Sequence, residues 1–391
     1  MKHLFATLAI TTLLAAPALA SNWEVVAASG NFSAPATWSL LSGTDVNADG
    51  LPDAGDNVTI PTGKKLWMNQ STDLGDVVVD GAMCGALNGA TPIAYVHKMN
   101  NLTVNGNLEL VDGRAPGTVT YDVNNLIVNT AGGLYSSRFA AATKPEQTVP
   151  ILKIGTNFTM SSGRAFPIYP LNFGGTFYSM AQLEFSGAGA ATVNFTIAST
   201  VEFGKVTVPA GKSVTFSGVG TGLYVGNDLQ TNAPNPFLVK TGGEALFEQS
   251  TPATLCFAWG TGYLETEADA IVGTSHPEGF TGGWQKFTAL AGTPVVNAST
   301  VFKFFGAQTQ ALGTLIGASV YKVILDKTGG SVNMEKDLTV AKLALLNGTI
   351  NTGAFTITGP NTLADLTQIS GNIVGNWVKP WLASVAGWDK Y

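Results

Sequence analysis

The feature that most constrains this chain is a succession of short β-type runs recurring at nearly regular intervals. They include Val58-Thr59-Ile60, Leu102-Thr103-Val104, Leu126-Ile127-Val128, Leu152-Lys153-Ile154, Val206-Thr207-Val208, Val214-Thr215-Phe216, Leu338-Thr339-Val340 and Phe355-Thr356-Ile357. Each alternates β-branched or aromatic residues with polar ones, the period of a strand buried on one face. Helical spacing is absent. The runs beginning at Leu102, Leu126 and Leu152 follow one another after 24 and 26 residues, inside the related phrases Leu102 to Leu108, Leu126 to Thr130 and Leu152 to Phe158. Such a period suits one coil of a stacked repeat, which buries its inner face only against its neighbours. The expected fold is all-β: a right-handed parallel β-helix (solenoid) with irregular loop insertions and aromatic end caps. Gly and Asn are expected at corners where φ is positive. The alternative is a pair of β-sandwiches, in which the runs pair as hairpins.

Composition agrees with a β-type chain. Of 391 residues only 20 are Lys or Arg and 26 are Asp or Glu, giving 12% charged residues against the usual ~25%. Thr, Asn and Ser on outward faces account for this shortage. The net charge of -6 leaves no basic patch dense enough for nucleic acid.

Lys2 and His3, the apolar run Leu4 to Leu14 and Ala18-Leu19-Ala20 form a secretory signal at 1–20. No later run reaches the ~20 apolar residues of a membrane span. The expectation is a secreted or cell-surface protein, bacterial in style. The rest divides into an N-terminal cap with an acidic loop (21–61), a solenoid (62–372) and an aromatic C-terminal cap (373–391). Irregular insertions are expected at 136–150, 162–180 and 258–286, because long loops without strand pattern are usually functional or mobile. Cys84 and Cys256 are the only cysteines; two buried thiols or a bridge are both open.

Two stretches carry a resemblance. Gly30-Asn31-Phe32 through Trp38, followed by Asp56-Asn57-Val58-Thr59-Ile60-Pro61 and Gly63, resembles the entry into the first coil of eight-glycine extracellular domains and related β-helical bacterial surface proteins. Val301 to Gln310, Leu338-Thr339-Val340 and Leu345 to Gly353 are similar to repeat units of secreted adhesins. The resemblance implies an extracellular β-helix used in surface display, adhesion or glycan contact. Some relatives are linked to polysaccharide depolymerisation, but no catalytic motif is matched here.

Three groups could carry chemistry. Asp45, Asn47, Asp49, Asp53 and Asp56, with the Leu51 carbonyl, fall at positions 1, 3, 5, 9, 12 and 7 of a calcium-type loop with Gly50 at position 6. Asp56 is shorter than the Glu expected at position 12; the alternative is a solvated acidic turn. A structural calcium is the one cofactor this suggests. The 258–286 stretch gathers Glu265, Glu267 and Asp269 as acid–base candidates for glycoside hydrolysis, and Trp259, Tyr263 and Trp284 as surfaces for sugar rings. Tyr169 and Arg164 supply base and cation types for a lyase. Against these stands a reading in which the aromatics pin a loop and the acids face water. Nucleophile-elbow, phosphate-loop, dinucleotide and zinc patterns are missing. The sequence therefore favours an exported structural or adhesion protein, with self-association or surface glycan as partner. The alternative is a polysaccharide-active enzyme using the irregular loops.

Overall fold

The computed structural model describes residues 20–85, 93–111, 117–137, 148–161, 171–173, 176–178, 181–196, 201–218, 223–225, 235–248, 262–280 and 294–380. Up to residue 160 it contains strands β1 (Asn22–Val25), β2 (Ser29–Asn31), β3 (Trp38–Ser42), β4 (Asn57–Ile60), β5 (Lys65–Met68) and β6 (Thr72–Val79). It continues with β7 (Ala82–Gly85), β8 (Ile93–Val104), β9 (Asn107–Val111), β10 (Gly117–Val128), β11 (Gly133–Ser137) and β12 (Thr148–Met160). Even-numbered strands from β4 to β12 lie in a 21-stranded sheet that continues to residue 378. Odd-numbered strands from β5 to β11 join β2 in a five-stranded sheet. From β4 to β12 the chain therefore alternates between two sheets as it advances.

Pairing is almost wholly parallel. Among the described residues, the antiparallel exceptions are β1 with β3 and Leu171–Phe173 with Thr176–Tyr178. The hairpin pairing required by the sandwich alternative is therefore not what joins these strands.

Period-two alternation explains each strand locally. In β10, Val119, Tyr121 and Val123 are buried, and so are Leu126 and Val128. The alternation slips at Asn124–Asn125, where the strand bends. The same slip occurs at Gly75–Asp76, Asn100–Asn101 and Gly155–Thr156–Asn157. Inward residues then stack in register. Val77, Leu102, Leu126, Phe158, Val193, Phe216 and Phe247 form one continuous row. Each side chain this deeply buried contributes about 1.5–3 kcal/mol. The row turns aromatic toward its middle, with Phe216 and Phe247 stacked at 5.2 Å between centroids and 13° between planes.

One expectation is corrected by register. Leu152 lies beside Tyr121, and it is Phe158 that joins Leu126 and Leu102. The phrase beginning at Leu152 had matched the others in sequence, but a period of two cannot fix register alone. Glycines at positive φ do occupy turns, as at Gly63 and Gly211, whereas at the turns bearing Gly81 and Gly106 the requirement is close approach: a Cβ on Gly106 would overlap the Gly81 carbonyl oxygen. Beside them Asn105 Nδ2 donates to Asp80 Oδ1 at 2.7 Å, and Asn129 Nδ2 to Asn105 Oδ1 at 2.6 Å.

The expected insertion at 258–286 also differs in part. Tyr263–Thr266 and Ile271–Thr274 are regular strands of the large sheet, pairing in parallel with Pro236–Val239 and Glu244–Phe247. Apolar Leu264 and Val272 face inward there, so the acidic residues between them had masked a strand pattern.

Candidate functional site

The strand bends create a polar cleft of about 460 Å³. This lies within the ~300–1,000 Å³ range of small-ligand sites. Successive bends widen along the sheet. One residue separates the two register segments at Asn124 and two at Gly155–Thr156, while Ser186, Gly187 and Ala188 lie between the separate strands Gln182–Phe185 and Gly189–Phe195. The widening opens the corner into the cleft.

Asp73, Lys98 and Asp122 line one wall and are direct neighbours across β6, β8 and β10. Their row continues outside the cleft through Lys153 and Glu184, which form an ion pair at 3.7 Å. Among the described residues, Asp73 and Lys98 make no ion pair. Asp122 Oδ1 instead accepts from Ser186 Oγ at 2.9 Å. On the other wall Asn124 Oδ1 accepts from Thr156 Oγ1 at 2.6 Å, while Asn124 Nδ2 lies 3.5 Å from Asn100 Oδ1.

Lys212 reaches back beneath the bends and closes the floor. It is 2% exposed, and its Nζ donates to the carbonyl oxygens of Gly155 at 2.5 Å and Ser186 at 2.9 Å. Burial lowers its pKa below the ordinary lysine value. One ammonium thus ties together the two bends that wall the cleft. None of these residues belongs to a sequence motif. The available signal was recurrence: Asp73, Lys98 and Asp122 occupy equivalent positions 25 and 24 residues apart in a chain poor in charge.

The acidic loop is organised by amide donors. Asp56, 5% exposed, accepts from the Ser21 N–H at 2.7 Å, the Trp23 indole at 2.9 Å and the Asp53 N–H at 3.0 Å. Asp53 accepts from the Val46 N–H at 3.0 Å and from the Asn47 amide. Asp45 accepts from the Gly50 N–H at 2.8 Å and Asp49 from the Leu51 N–H at 2.9 Å. Asp45 Oδ1 is a buried atom without a hydrogen-bond partner. Among the described residues, no group of three or more acidic, His or Cys side chains is placed to hold a metal ion. As arranged, these carboxylates accept from backbone N–H groups, from the Trp23 indole and from the Asn47 amide.

Of the acids of 262–280, Glu265 and Glu267 are likewise engaged. Glu265 Oε2 accepts from Tyr263 Oη at 3.0 Å. Glu267 Oε2 accepts from the Thr241 N–H at 2.9 Å and hydroxyl at 3.0 Å, and this contact holds its carboxyl below the ordinary value. Asp269 sits in a turn at φ 56°, its N–H donating to Ser299 Oγ at 3.0 Å. Trp259, Trp284, Tyr169, Arg164 and Cys256 lie outside the described residues, as do residues 1–19 and 381–391.

Cys84 is a free thiol, buried and 3.3 Å from Glu109 Oε2. Burial and the nearby Glu109 push its pKa up to about 12. Such a thiol is a poor nucleophile. No protein-family model, curated protein sequence or solved structure matches the chain.

Proposed function

We propose that this chain is an exported right-handed parallel β-helix acting at the cell surface or in the extracellular matrix as a structural or adhesion protein that contacts glycans. The observation supporting this most directly is the alternation of the chain between two parallel sheets from β4 to β12, each strand lying beside its counterpart in the next repeat. An unbranched stack of this kind presents long, uniform polar faces. One such face is a hydrogen-bonded row in which Asn101 donates to Asp76 at 2.6 Å, Asn125 to Asn101 at 2.8 Å and Asn157 to Asn125 at 2.8 Å.

Self-association belongs to the same proposal. Of the eleven exposed large hydrophobics among the described residues, eight lie near the chain ends: Val26, Leu40, Leu41 and Val46, then Leu363, Ile369, Val374 and Val378. The terminal strands β3 and Asn372–Val378 each pair on one side among the described residues, and neither contains Lys or Pro. Those are the usual devices that blunt an open edge.

The test is incubation of the purified chain with acidic and neutral polysaccharides. Retention without new reducing or unsaturated ends is expected. Product release that disappears in Glu265→Gln or Glu267→Gln would replace this reading with an enzymatic one. Recovery of the protein from the cell surface or medium, beginning at Ser21, is the expected result for export.

A further inference from the structure

Resting on the reading that the protein contacts glycans, we propose that the cleft at the strand bends is the contact site and that its ligand is an uncharged oligosaccharide. The class follows from charge. Among the described residues lining the cleft, two carboxylates, Asp73 and Asp122, are matched by two ammonium groups, Lys98 and Lys212, and the formal charges cancel. A site for a uronate or sulfated chain needs an excess of cations, because steering of a polyanion depends on one dominant sign of field. The cleft has none.

The polar groups suit sugar hydroxyls, which both donate and accept. Asp73 and Asp122 accept only, Lys98 donates only, and the amides of Asn100 and Asn124 do both. Asp73 and Lys98 are exposed, and among the described residues they have no ion-pair partner to displace. Asp122 is oriented by Ser186, and Asn124 by Thr156. Groups fixed before binding lose less freedom when the ligand arrives. Neighbouring strands place Asp73, Lys98 and Asp122 at intervals of ~4.8 Å, so successive charged groups can reach successive hydroxyls along a chain laid across the strands. Lys212 acts as a positioning residue, holding the carbonyls of both bends from below. The lining contains no aromatic ring, so hydrogen bonding rather than ring stacking carries the affinity.

Calorimetric titration of the purified chain with cellohexaose, laminarihexaose, mannohexaose, xylohexaose and hexagalacturonate tests the assignment. At least one neutral hexasaccharide should bind more tightly than hexagalacturonate, with affinity little changed by salt. Asp73→Ala, Lys98→Ala and Asp122→Asn should each weaken it roughly tenfold, the loss of a hydrogen bond to a charged group. Their melting temperatures should stay close to that of the parent, which separates a lost contact from a damaged fold. Neutral-sugar binding that survives all three substitutions would overturn the cleft as the site while leaving glycan contact intact. Binding confined to hexagalacturonate would overturn the ligand class alone. Failure of every sugar to bind would overturn both this assignment and the glycan part of the proposed function.

Discussion

At the scale of single residues, the chain places titratable groups where they matter to stability. His97 is fully buried, with Thr72 Oγ1 3.3 Å from its Nδ1 and the Tyr121 ring 4.9 Å away; Tyr95 lies farther off at 6.3 Å. Desolvation lowers its pKa to about 4 from 6.5. The folded state therefore binds the proton less readily than the unfolded chain. Stability contributed by the neutral ring is complete above pH 6.5 and lost as pH falls toward 4, by about 3 kcal/mol in all. Chemical denaturation at pH 7 and pH 4 should reveal this loss, and His97→Leu should flatten it. Asp56→Ala should cost about 3 kcal/mol, because it strips three N–H donors of their acceptor. A chelator tests the calcium expectation: an unchanged melting temperature would count against the loop as a site. A fall of several degrees would mean that calcium replaces these amide contacts.

At the scale of elements, the bend and the side-chain ladder set local stability. Asn125 both donates to Asn101 and accepts from Asn157. Asn125→Ala should cost about 1–2 kcal/mol, measurable by urea denaturation. Gly106→Ala forces a methyl group against the Gly81 carbonyl and should cost about 1–3 kcal/mol by the same measurement. Strands such as Leu102 to Val104 and Leu126 to Val128 were legible because their apolar residues alternate. The acids of 258–286 hid the short strands Tyr263–Thr266 and Ile271–Thr274, each only four residues long. The cleft was not legible for a different reason. Asp73, Lys98 and Asp122 become neighbours only through strand register, and the reach of Lys212 to Gly155 spans 57 residues. Local sequence carries propensity; it does not carry the lengths of intervening bends that set such meetings.

At the scale of the molecule, each strand of the large sheet contacts mainly its immediate neighbours, so stability is close to a sum of strand and interface contributions. Phe216 lies mid-stack, against Phe185, Phe237 and Phe247. Phe216→Ala should cost about 3–5 kcal/mol. It should also split thermal unfolding into two transitions, because it weakens coupling between the halves; a single calorimetric peak would contradict this. Ile369→Lys with Val374→Lys should lower concentration-dependent association in sedimentation velocity, since both replace exposed apolar groups on the terminal edge with charge.

The nearly uniform parallel pairing has a mechanical consequence. Backbone hydrogen bonds in this sheet run from strand to strand, along the direction of stacking. A load applied along that direction opens one interface at a time, so the weakest sets the yield force and the rest lie in series. A load applied along the strands shears many bonds together. A molecule anchored at one end of the stack and gripped on its polar face would be pulled in mixed geometry, and its resistance would depend on where it is held as much as on how stable it is.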